Sequence, residues 1–452
     1  MTNGRMDLLE FRFWSLLAVT PMAVFPQAAH AQGAQSGAQQ DLERVTYIVK
    51  RGDTLIGLAK KYFRKPSDYR VVQRINRIKN PRLISVGKRL SVPFRILKYR
   101  PSTASIAAFK GNVSLAGNGQ TADVSKGMAL AEGQRISTAA SSFVTLRLED
   151  GSRISMPSNS RVLVERLRYI SLTDSIDYEF SVENGRIRSK IVPFSKKADR
   201  YRVRTPVAVS AVRGTDYRTR VDENTGTVFS ETVEGLVDVS LGVNSGGKSV
   251  SIPEGTGAAA TVTGSLDKAD LLSPPTLVEP GKVQSEQQVS FAVTPRTDAA
   301  GSRILVSTDA GFVDIVAEQQ SESAIVSLPS LPDGRYFAKA TSISNDGFEG
   351  MPAAYSFKRQ LSTLSGSAGA GDFGYRFKWD GEGSGKRFYR FQIVKDSKSA
   401  VPMVDEAGLI DQSLTLSDLP DGEYYWRIGV TQISDGEASE KWTDFEKLTV
   451  AD

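Results

Sequence analysis

The side chains that most often carry out enzyme chemistry are scarce in this sequence of 452 residues. It contains no cysteine, and His30 is its single histidine. Thiol nucleophiles, Ser-His-Asp triads and histidine-ligated zinc sites depend on those two residue types. Pairs of carboxylates that act on sugars and Ser-Lys dyads do not need them, so these catalytic classes stay open.

His30 belongs to a segment with the layout of a secretory signal peptide. An apolar run from Phe13 to Phe25 follows an arginine-containing start and leads to Ala29-His30-Ala31, an A-x-A cleavage signature. The run is too short for a membrane helix, and no later stretch approaches eighteen uninterrupted apolar residues. We therefore expect residues 1–31 to be a signal peptide and 32–44 a flexible linker. The alternative is a buried N-terminal helix, which leaves the cleavage signature unexplained.

Charge is distributed unevenly along the chain. Residues 41–99 contain 16 lysines and arginines against 4 acidic residues, whereas residues 241–452 contain 19 against 29. A basic segment of this kind often binds nucleic acid, but an exported chain meets wall and envelope polymers instead. The simpler interpretation is a solvated basic face.

The elements expected in the basic segment form a small βααβ unit over residues 45–96. Val45 to Val49 alternates as a strand does, and Arg89 to Val92 predicts a closing strand. Two amphipathic stripes lie between them and predict two helices. The first stripe is Leu55, Leu58, Ala59, Tyr62 and Phe63, and the second is Val71, Val72, Ile75 and Ile78.

The unit resembles a LysM domain in "YIVKRGDTLIGLAKKY", in "INRIKNPRLISVGKRLSVP" and in the spacing between them. LysM domains bind polymers that contain N-acetylglucosamine, such as peptidoglycan and chitin. The resemblance implies a glycan-binding groove between the loop before the first helix and the loop after the second. Its two sides are Gly52, Asp53, Thr54 and Leu55, and Asn80, Pro81, Arg82, Leu83 and Ile84.

The chemistry of these loops suits an N-acetyl group, which offers one amide donor, one acceptor and a methyl group. Gly52 allows the backbone to approach a sugar closely, and Leu83 or Ile84 could cover the methyl. Contacts with single sugars should be weak, with affinity gained along the polymer. The structural alternative is that Asp53 and Thr54 only cap the helix while Leu83 and Ile84 belong to the core.

Short alternating segments replace the helical stripes over residues 104–242. "FVTLRLEDGSRISM" predicts two strands around Asp150-Gly151, and "FSVENGRIRSKI" predicts a hairpin around Asn184-Gly185. "GQRISTAASSFVTLRLEDGSRISM", "TPVAVSAVRGTDYRTRV" and "VEGLVDVS" resemble the FecR-type periplasmic domain. The resemblance implies a β domain outside the inner membrane, which in iron-signalling relatives relays receptor occupancy to a sigma factor. With no membrane span evident, we do not expect sigma-factor control here. Arg213-Gly214-Thr215 is either a recognition surface or, as we favour, a tight turn.

The acidic tail contains an internal repeat. "LPSLPDGRYFAKATSISNDGFEG" recurs as "LSDLPDGEYYWRIGVTQISDGEAS" at an offset of 88 residues, the length of one sandwich domain. The pattern resembles fibronectin type III or similar immunoglobulin-like sandwiches. We expect a linker over 243–281, a first repeat over 282–360, a linker over 361–372 and a second repeat over 373–450.

Two kinds of binding site are conceivable in this tail. A platform of Trp379, Trp426 and Trp442 could stack against carbohydrate, but we favour core positions for these three residues. The spacing of Asp372, Asp380 and Glu382 does not match an EF-hand. We predict no metal, no cofactor and no catalytic residue.

The expected fold is therefore mostly β and multidomain, with a LysM-like head, a FecR-like β domain and two β-sandwich repeats. The leading hypothesis is an exported, non-enzymatic and periplasmic envelope protein that binds peptidoglycan and a protein partner. We do not expect it to bind nucleic acid. Cell-surface exposure or secretion is an alternative to the periplasm. The alternative functions are a carboxylate-based glycan hydrolase that remodels the wall and a soluble FecR-like sensor.

Overall fold

The computed structural model describes residues 44–117, 119–242 and 247–451. The predicted signal peptide over 1–31, and the predicted linker over 32–44 apart from its last residue, lie outside the described residues. The chain divides after Lys98 into two compact units.

The first unit contains two strands and two helices in the predicted order βααβ. They are β1 (Arg44–Ile48), α1 (Leu55–Tyr62), α2 (Tyr69–Ile75) and β2 (Arg89–Pro93), with short 3₁₀ turns at Pro66–Asp68 and Phe94–Ile96. β1 and β2 pair antiparallel, and the buried stripes of the helices form the core. The predicted arrangement of the head is confirmed.

Local hydrogen bonds fix both helices of this unit. The Thr54 hydroxyl oxygen accepts a 2.9 Å hydrogen bond from the Gly57 N–H and caps α1. After α2, the Asn76 amide donates to the carbonyls of Val72 and Ser91, at 2.8 Å each. Its Oδ1 accepts from the Ser91 N–H at 2.7 Å. Asn76 therefore joins the end of α2 to β2, a contact that the apolar periodicity did not indicate.

The second unit begins with a β domain over residues 99–270. Its strands are β3 (Tyr99–Pro101), β4 (Ala104–Lys110), β5 (Val113–Gly117), β6 (Gln120–Asp123), β7 (Ala129–Leu130), β8 (Arg135–Thr138), β9 (Phe143–Leu148), β10 (Arg153–Met156), β11 (Arg161–Ile170), β12 (Ser175–Lys190), β13 (Arg200–Arg204), β14 (Ala208–Val212), β15 (Asp216–Val221), β16 (Val228–Glu234), β17 (Leu236–Leu241), β18 (Ser249–Pro253), β19 (Thr256–Ala260) and β20 (Leu266–Asp270).

Strand β12 belongs to both sheets of this β domain. One sheet runs in the order β6-β5-β8-β11-β12-β13-β14-β17-β18, and the other in the order β7-β4-β9-β10-β12-β15-β16-β19-β20. The ladders close around one apolar core that both sheets line. The predicted strands around Asp150-Gly151 are confirmed as the antiparallel pair β9 and β10.

The predicted hairpin at Asn184-Gly185 is wrong, because β12 continues through both residues. Before this point Phe180 lies opposite Val164 of β11, and after it Ile187 lies opposite Thr219 of β15. Gly185 has φ +74°, and a Cβ there would lie 2.4 Å from the Asn159 carbonyl oxygen. The Asn-Gly pair bends the strand from one sheet into the other. The same local signal serves a turn or a bend, and the partner strands decide which one forms.

The linker predicted over 243–281 is wrong for most of its described length. Strands β18, β19 and β20 fall within this range, and β18 and β19 pair with β17 and β16. Residues 243–246 lie outside the described residues. The small, polar composition suggested a linker, but Ile252, Ala258 and Ala260 are buried in the core of the β domain. Ala258 and Ala260 pack into the same core as the larger apolar side chains of the neighbouring strands, so a small composition does not by itself mark a linker.

The first sandwich consists of two sheets. Its strands are β21 (Leu277–Val278), β22 (Val289–Val293), β23 (Ala299–Ser307), β24 (Ile315–Ser321), β25 (Ile325–Leu328), β26 (Gly334–Ser344) and β27 (Ala353–Arg359). One sheet has the order β21-β22-β25 and the other β24-β23-β26-β27. The sheets enclose an apolar core in which Phe291 packs edge-on against Phe357. The sandwich therefore begins at Leu277, inside the range expected to be a linker.

The second sandwich repeats this arrangement. Its strands are β28 (Ser365–Gly371), β29 (Gly374–Asp380), β30 (Lys386–Lys395), β31 (Val404–Leu409), β32 (Ser413–Leu416), β33 (Gly422–Ser434), β34 (Glu437–Trp442) and β35 (Glu446–Val450). The sheet orders are β28-β29-β32 and β31-β30-β33-β34, with β35 also paired to β33. The linker predicted over 361–372 is wrong for β28, whose Ala368 packs against the core. A Gly/Ser/Ala strand has no apolar alternation to reveal it.

One hydrogen bond recurs at the same place in both sandwiches. The Tyr336 hydroxyl donates to the Pro332 carbonyl at 2.9 Å, and the Tyr424 hydroxyl donates to the Pro420 carbonyl at 2.6 Å. Each tyrosine follows its Leu-Pro-Asp-Gly turn by the same number of residues. The repeat in the sequence is therefore a repeat in the structure.

Candidate functional site

The two loops of the predicted groove in the first unit are joined by their backbones. The N–H of Leu55 donates a 2.9 Å hydrogen bond to the carbonyl of Pro81. The Leu55 side chain is fully buried, so it contributes to the core and not to an exposed binding face. This bond fixes the distance between the loop before α1 and the loop after α2.

The loop before α1 is held by polar side chains. The Asp53 carboxylate accepts hydrogen bonds from the Lys50 N–H at 2.7 Å and the Tyr47 hydroxyl at 2.8 Å. Burial, followed by this hydrogen bond to Asp53, raises the pKa of Tyr47, so the hydroxyl remains a donor at neutral pH. Gly52 is exposed and has φ +88°. Asp53 and Thr54 therefore shape the loop, as the structural alternative expected, and leave the backbone at Gly52 open.

The loop after α2 presents an apolar side chain to solvent. The Asn80 side-chain oxygen accepts a 2.9 Å hydrogen bond from the Arg82 N–H, which closes a local turn. Leu83 is 76% exposed, whereas Pro81 and Ile84 are partly buried. An exposed leucine beside a fixed turn is available to cover a methyl group. The alternative that Leu83 is a core residue is wrong.

The Arg213-Gly214-Thr215 segment forms the turn between β14 and β15. Gly214 has φ +78°, and a Cβ there would lie 2.3 Å from the Cα of Pro193. Thr215 is buried, and its carbonyl accepts a 2.8 Å hydrogen bond from the Ile191 N–H. The close backbone contact favours the tight-turn interpretation over a recognition surface.

An ion-pair network joins the β domain to the first sandwich, and the sequence did not predict it. The carboxylate of Glu349, which follows β26, lies 3.3 Å from Arg186 and 3.2 Å from Arg218, both in the β domain. Arg303 of the sandwich also lies 3.2 Å from it. The Thr341 hydroxyl donates to the same carboxylate at 2.9 Å. The network links the two domains within the second unit.

A second glutamate completes the network. The Glu349 N–H donates a 2.7 Å hydrogen bond to the carboxylate of Glu231, whose other oxygen lies 3.0 Å from the Arg218 Nε. Burial raises the pKa of Glu231. Burial also opposes ionisation of Glu349, but Arg218, Arg303 and Arg186 outweigh it and hold the pKa of Glu349 well below its usual range. Glu349 is therefore the charged centre of the network.

The arginines of this network follow a pattern that can be seen in the sequence. Arg186 and Arg188 alternate in β12, and Arg218 and Arg220 alternate in β15, so each pair lies on one face of its strand. The strands are neighbours, and Arg188 lies opposite Arg218. Like charges placed this way normally indicate a solvated face. Only the covering sandwich, with Glu349, makes them an interface.

The tryptophans of the second sandwich support core packing. Trp379 and Trp426 are 3% and 1% exposed and pack against Phe391. Trp442 is partly exposed, and the guanidinium of Arg427 lies 4.4 Å from the centre of its ring. The three rings therefore do not form one open stacking platform.

Neither a metal-binding cluster nor a membrane-spanning helix occurs in the described parts of the chain. Within residues 44–117, 119–242 and 247–451, no cluster of three or more acidic or histidine side chains could hold a metal ion. In the same residues, none of the helices has the length and apolarity needed to cross a membrane.

Two family models match the chain. The model of the LysM domain matches residues 47–93, and the model of the FecR protein matches residues 134–238. The chain contains a LysM domain and a FecR domain. The LysM match spans both groove loops, and the FecR match extends from β8 to β17. No curated protein matches the chain significantly.

Several solved structures are similar to parts of the chain. A candidate anti-sigma factor from Parabacteroides distasonis is 15% identical over 30% of this chain and 59% of its own, with a TM-score of 0.25. Two fibronectin type III domains of chicken tenascin are 14% identical over 40% of this chain and 100% of theirs, with a TM-score of 0.20. Fibronectin(III)-like modules of Clostridium thermocellum CbhA are 14% identical over 39% of this chain and 93% of theirs, with a TM-score of 0.18. This chain spans 59% of the anti-sigma factor structure.

Proposed function

We propose that this is an exported, non-enzymatic cell-envelope protein that binds peptidoglycan through its LysM domain. The β domain and the sandwiches present a surface to a protein partner in the envelope. The observation that carries the proposal is the LysM match over residues 47–93, which includes both loops of the groove. LysM domains bind polymers that contain N-acetylglucosamine.

The geometry of the groove supports glycan binding by a few weak contacts. Gly52 exposes backbone, Leu83 exposes an apolar side chain, and the bond between Leu55 and Pro81 holds the two loops together. An N-acetylated sugar needs both an amide partner and cover for its methyl group. Asn80 and Arg82 border the apolar side chain and provide polar groups at the same loop.

The positive charge of the first unit also favours binding to peptidoglycan. Residues 41–99 contain 16 basic and 4 acidic residues, and the stem peptides of peptidoglycan carry carboxylates. A basic surface increases the local concentration of an acidic polymer and speeds association at low salt. Binding to peptidoglycan should therefore weaken, but not disappear, as salt screens the charges.

Cosedimentation with purified peptidoglycan sacculi tests the proposal. The full chain should pellet with sacculi, and a chain lacking residues 45–94 should stay in the supernatant. The isolated first unit, which is compact by itself, should pellet as the full chain does. Equal pelleting of the full and the shortened chain would contradict the proposed role of the LysM domain.

A role in sensing is the second candidate, and the FecR match over residues 134–238 favours it. Crosslinking in the periplasm, followed by identification of the captured proteins, separates the two roles. Recovery of a receptor or a membrane regulator would support sensing. Recovery of structural envelope proteins alone would support a scaffold.

A further inference from the structure

A cavity of about 310 Å³ lies between the β domain and the first sandwich. The volume is that of about ten liquid waters and falls at the lower limit of small-ligand pockets. It is bounded by β10, β12 and β15 on one side, and by β23, β24, β26 and the turn after β23 on the other. The cavity is separate from the groove of the LysM domain and does not depend on glycan binding.

The polar wall of this cavity is cationic. Several of its basic side chains already have carboxylate partners: Arg188 pairs with Asp216 at 2.7 Å, and Arg218 pairs with Glu349. The side chains of Arg153, Lys190 and Lys339 have no hydrogen-bond or ion-pair partner among the described residues. Arg153 and Lys190 therefore give the cavity positive charge beyond what the surrounding carboxylates neutralise.

Of these three residues, Lys339 belongs to the sandwich side of the cavity. It lies in β26 and faces Arg188 of β12, Asp216 and Arg218 of β15, and Arg303 of β23. Burial, and then the positive charge of Arg188, lower the pKa of Lys339 to about 6. The lysine is thus mostly uncharged at neutral pH, and an anion placed beside it would restore its proton.

Apolar side chains lie next to Lys339 on the sandwich side of the cavity, where Leu305 is its cross-strand partner. Leu305, Phe312 and Ile315 belong to one buried cluster at the domain interface, and they line the cavity. The Lys339 nitrogen lies 3.7 Å from the centre of the Phe312 ring. A ligand with an anionic group beside Lys339 can therefore place an apolar group against these neighbouring side chains.

The exposed lining residues mark an entrance. Lys190, Ala310 and Gly311 are exposed, while Glu231 and Glu349 of the same lining are buried. Arg153 lies opposite Lys190 across the β10 and β12 pair. Two cations at the mouth of a cavity would attract an anion from solvent.

We propose that this cavity binds a small organic anion, with a carboxylate or phosphate group on Lys339, Lys190 and Arg153 and an apolar group against Leu305, Phe312 and Ile315. The bound anion would join the β domain to the first sandwich. The ligand chemistry is shared by carboxylates and phosphates, and the experiment distinguishes the two.

Isothermal titration of the full chain with phenyl phosphate, benzoate and inorganic phosphate tests this site. Phenyl phosphate or benzoate should bind at least about tenfold more tightly than inorganic phosphate, because only they reach the apolar side chains. The stronger of the two identifies the anionic group. At pH 7.5, titration in two buffers of different ionisation enthalpy should show uptake of close to one proton per anion bound.

Two variants locate the binding. Lys339→Met should abolish proton uptake and weaken binding at least about tenfold, and Arg153→Gln at the entrance should weaken it without changing proton uptake. Lys282→Met, at an exposed lysine outside the cavity, is the matched control and should bind as the wild type does. Far-ultraviolet circular dichroism checks that each variant is folded. The proposal is wrong if none of the three probes binds at millimolar concentration, or if Lys339→Met binds them as the wild type does.

Discussion

The backbone N–H of Glu349 donates a 2.7 Å hydrogen bond to the carboxylate of Glu231, so two buried glutamates from different domains lie side by side. Such an arrangement is stable only if cations surround it, and Arg186, Arg218 and Arg303 supply them. Because burying these charges is costly, we expect the network to contribute to the specificity of domain pairing more than to stability.

Glu349→Gln should loosen this domain interface. The substitution keeps the shape of the side chain but leaves the buried Arg218 and Arg303 and the partly buried Arg186 without their shared carboxylate, at a cost of about 3 to 5 kcal/mol. Hydrogen exchange measured by mass spectrometry should show reduced protection in β15 and β26. Glu437→Gln removes an exposed ion pair with Lys358 and should leave protection unchanged. Unchanged protection in the Glu349 variant would mean that apolar packing alone holds the domains together.

Lys339→Met should change how stability depends on pH. The folded-state pKa of Lys339, about 6, lies below the ordinary lysine value, so the unfolded chain binds the extra proton between these two values. Stability of the wild type should therefore rise relative to the variant as pH increases from 6 to 9, by up to about 1.4 kcal/mol per pH unit. Urea denaturation of both proteins at pH 6, 7.5 and 9 measures this difference. A constant difference would show that the lysine is protonated throughout.

Gly214→Ala should be much more destabilising than Gly264→Ala. Both glycines have positive φ, +78° and +86°, so alanine is strained at either position by about 1 kcal/mol or more. Only at Gly214 would the new Cβ meet backbone, 2.3 Å from Pro193, while the space around Gly264 is open. We expect a loss of at least about 3 kcal/mol for Gly214→Ala in thermal unfolding. Equal losses would show that Pro193 moves away freely.

Leu83→Ala should weaken glycan binding without affecting the fold. The side chain is 76% exposed, so its removal leaves no cavity, but it takes away apolar cover for an N-acetyl methyl group. Titration of the isolated first unit with chito-oligosaccharides or muropeptides should show about tenfold lower affinity. Ile48→Ala, at another exposed apolar residue on β1, should bind normally. A similar loss in both variants would point to general surface hydrophobicity instead of the groove.

Tyr336→Phe and Tyr424→Phe should destabilise their own sandwiches by similar amounts. Each change removes one hydroxyl that donates to a proline carbonyl, a loss of about 1 kcal/mol. Separate unfolding transitions in differential scanning calorimetry would show which sandwich each substitution affects. A large difference between the two would contradict the structural equivalence of the repeats.

The sequence determined the features that depend on local chemistry. Apolar stripes predicted both helices of the LysM domain, Asp150-Gly151 predicted a pair of strands, and the Leu-Pro-Asp-Gly turns revealed the repeat. These predictions succeed because side-chain periodicity and turn preference act over a few residues. Composition alone also excluded thiol chemistry and left a single histidine for imidazole chemistry.

Only the tertiary structure decided how strands are shared and which charges meet. Asn184-Gly185 bends β12 because β11 pairs with the part of the strand before it and β15 with the part after it. No local signal contains that information. The small residues of β19 and β28 form strands because neighbouring strands pair with them, β16 and β20 with β19 and β29 with β28. Arg186 and Arg218 are interface residues because Glu349 lies against them. These two ion pairs join residues that are separated by 163 and by 131 positions in the sequence, so they form only when the whole chain has folded.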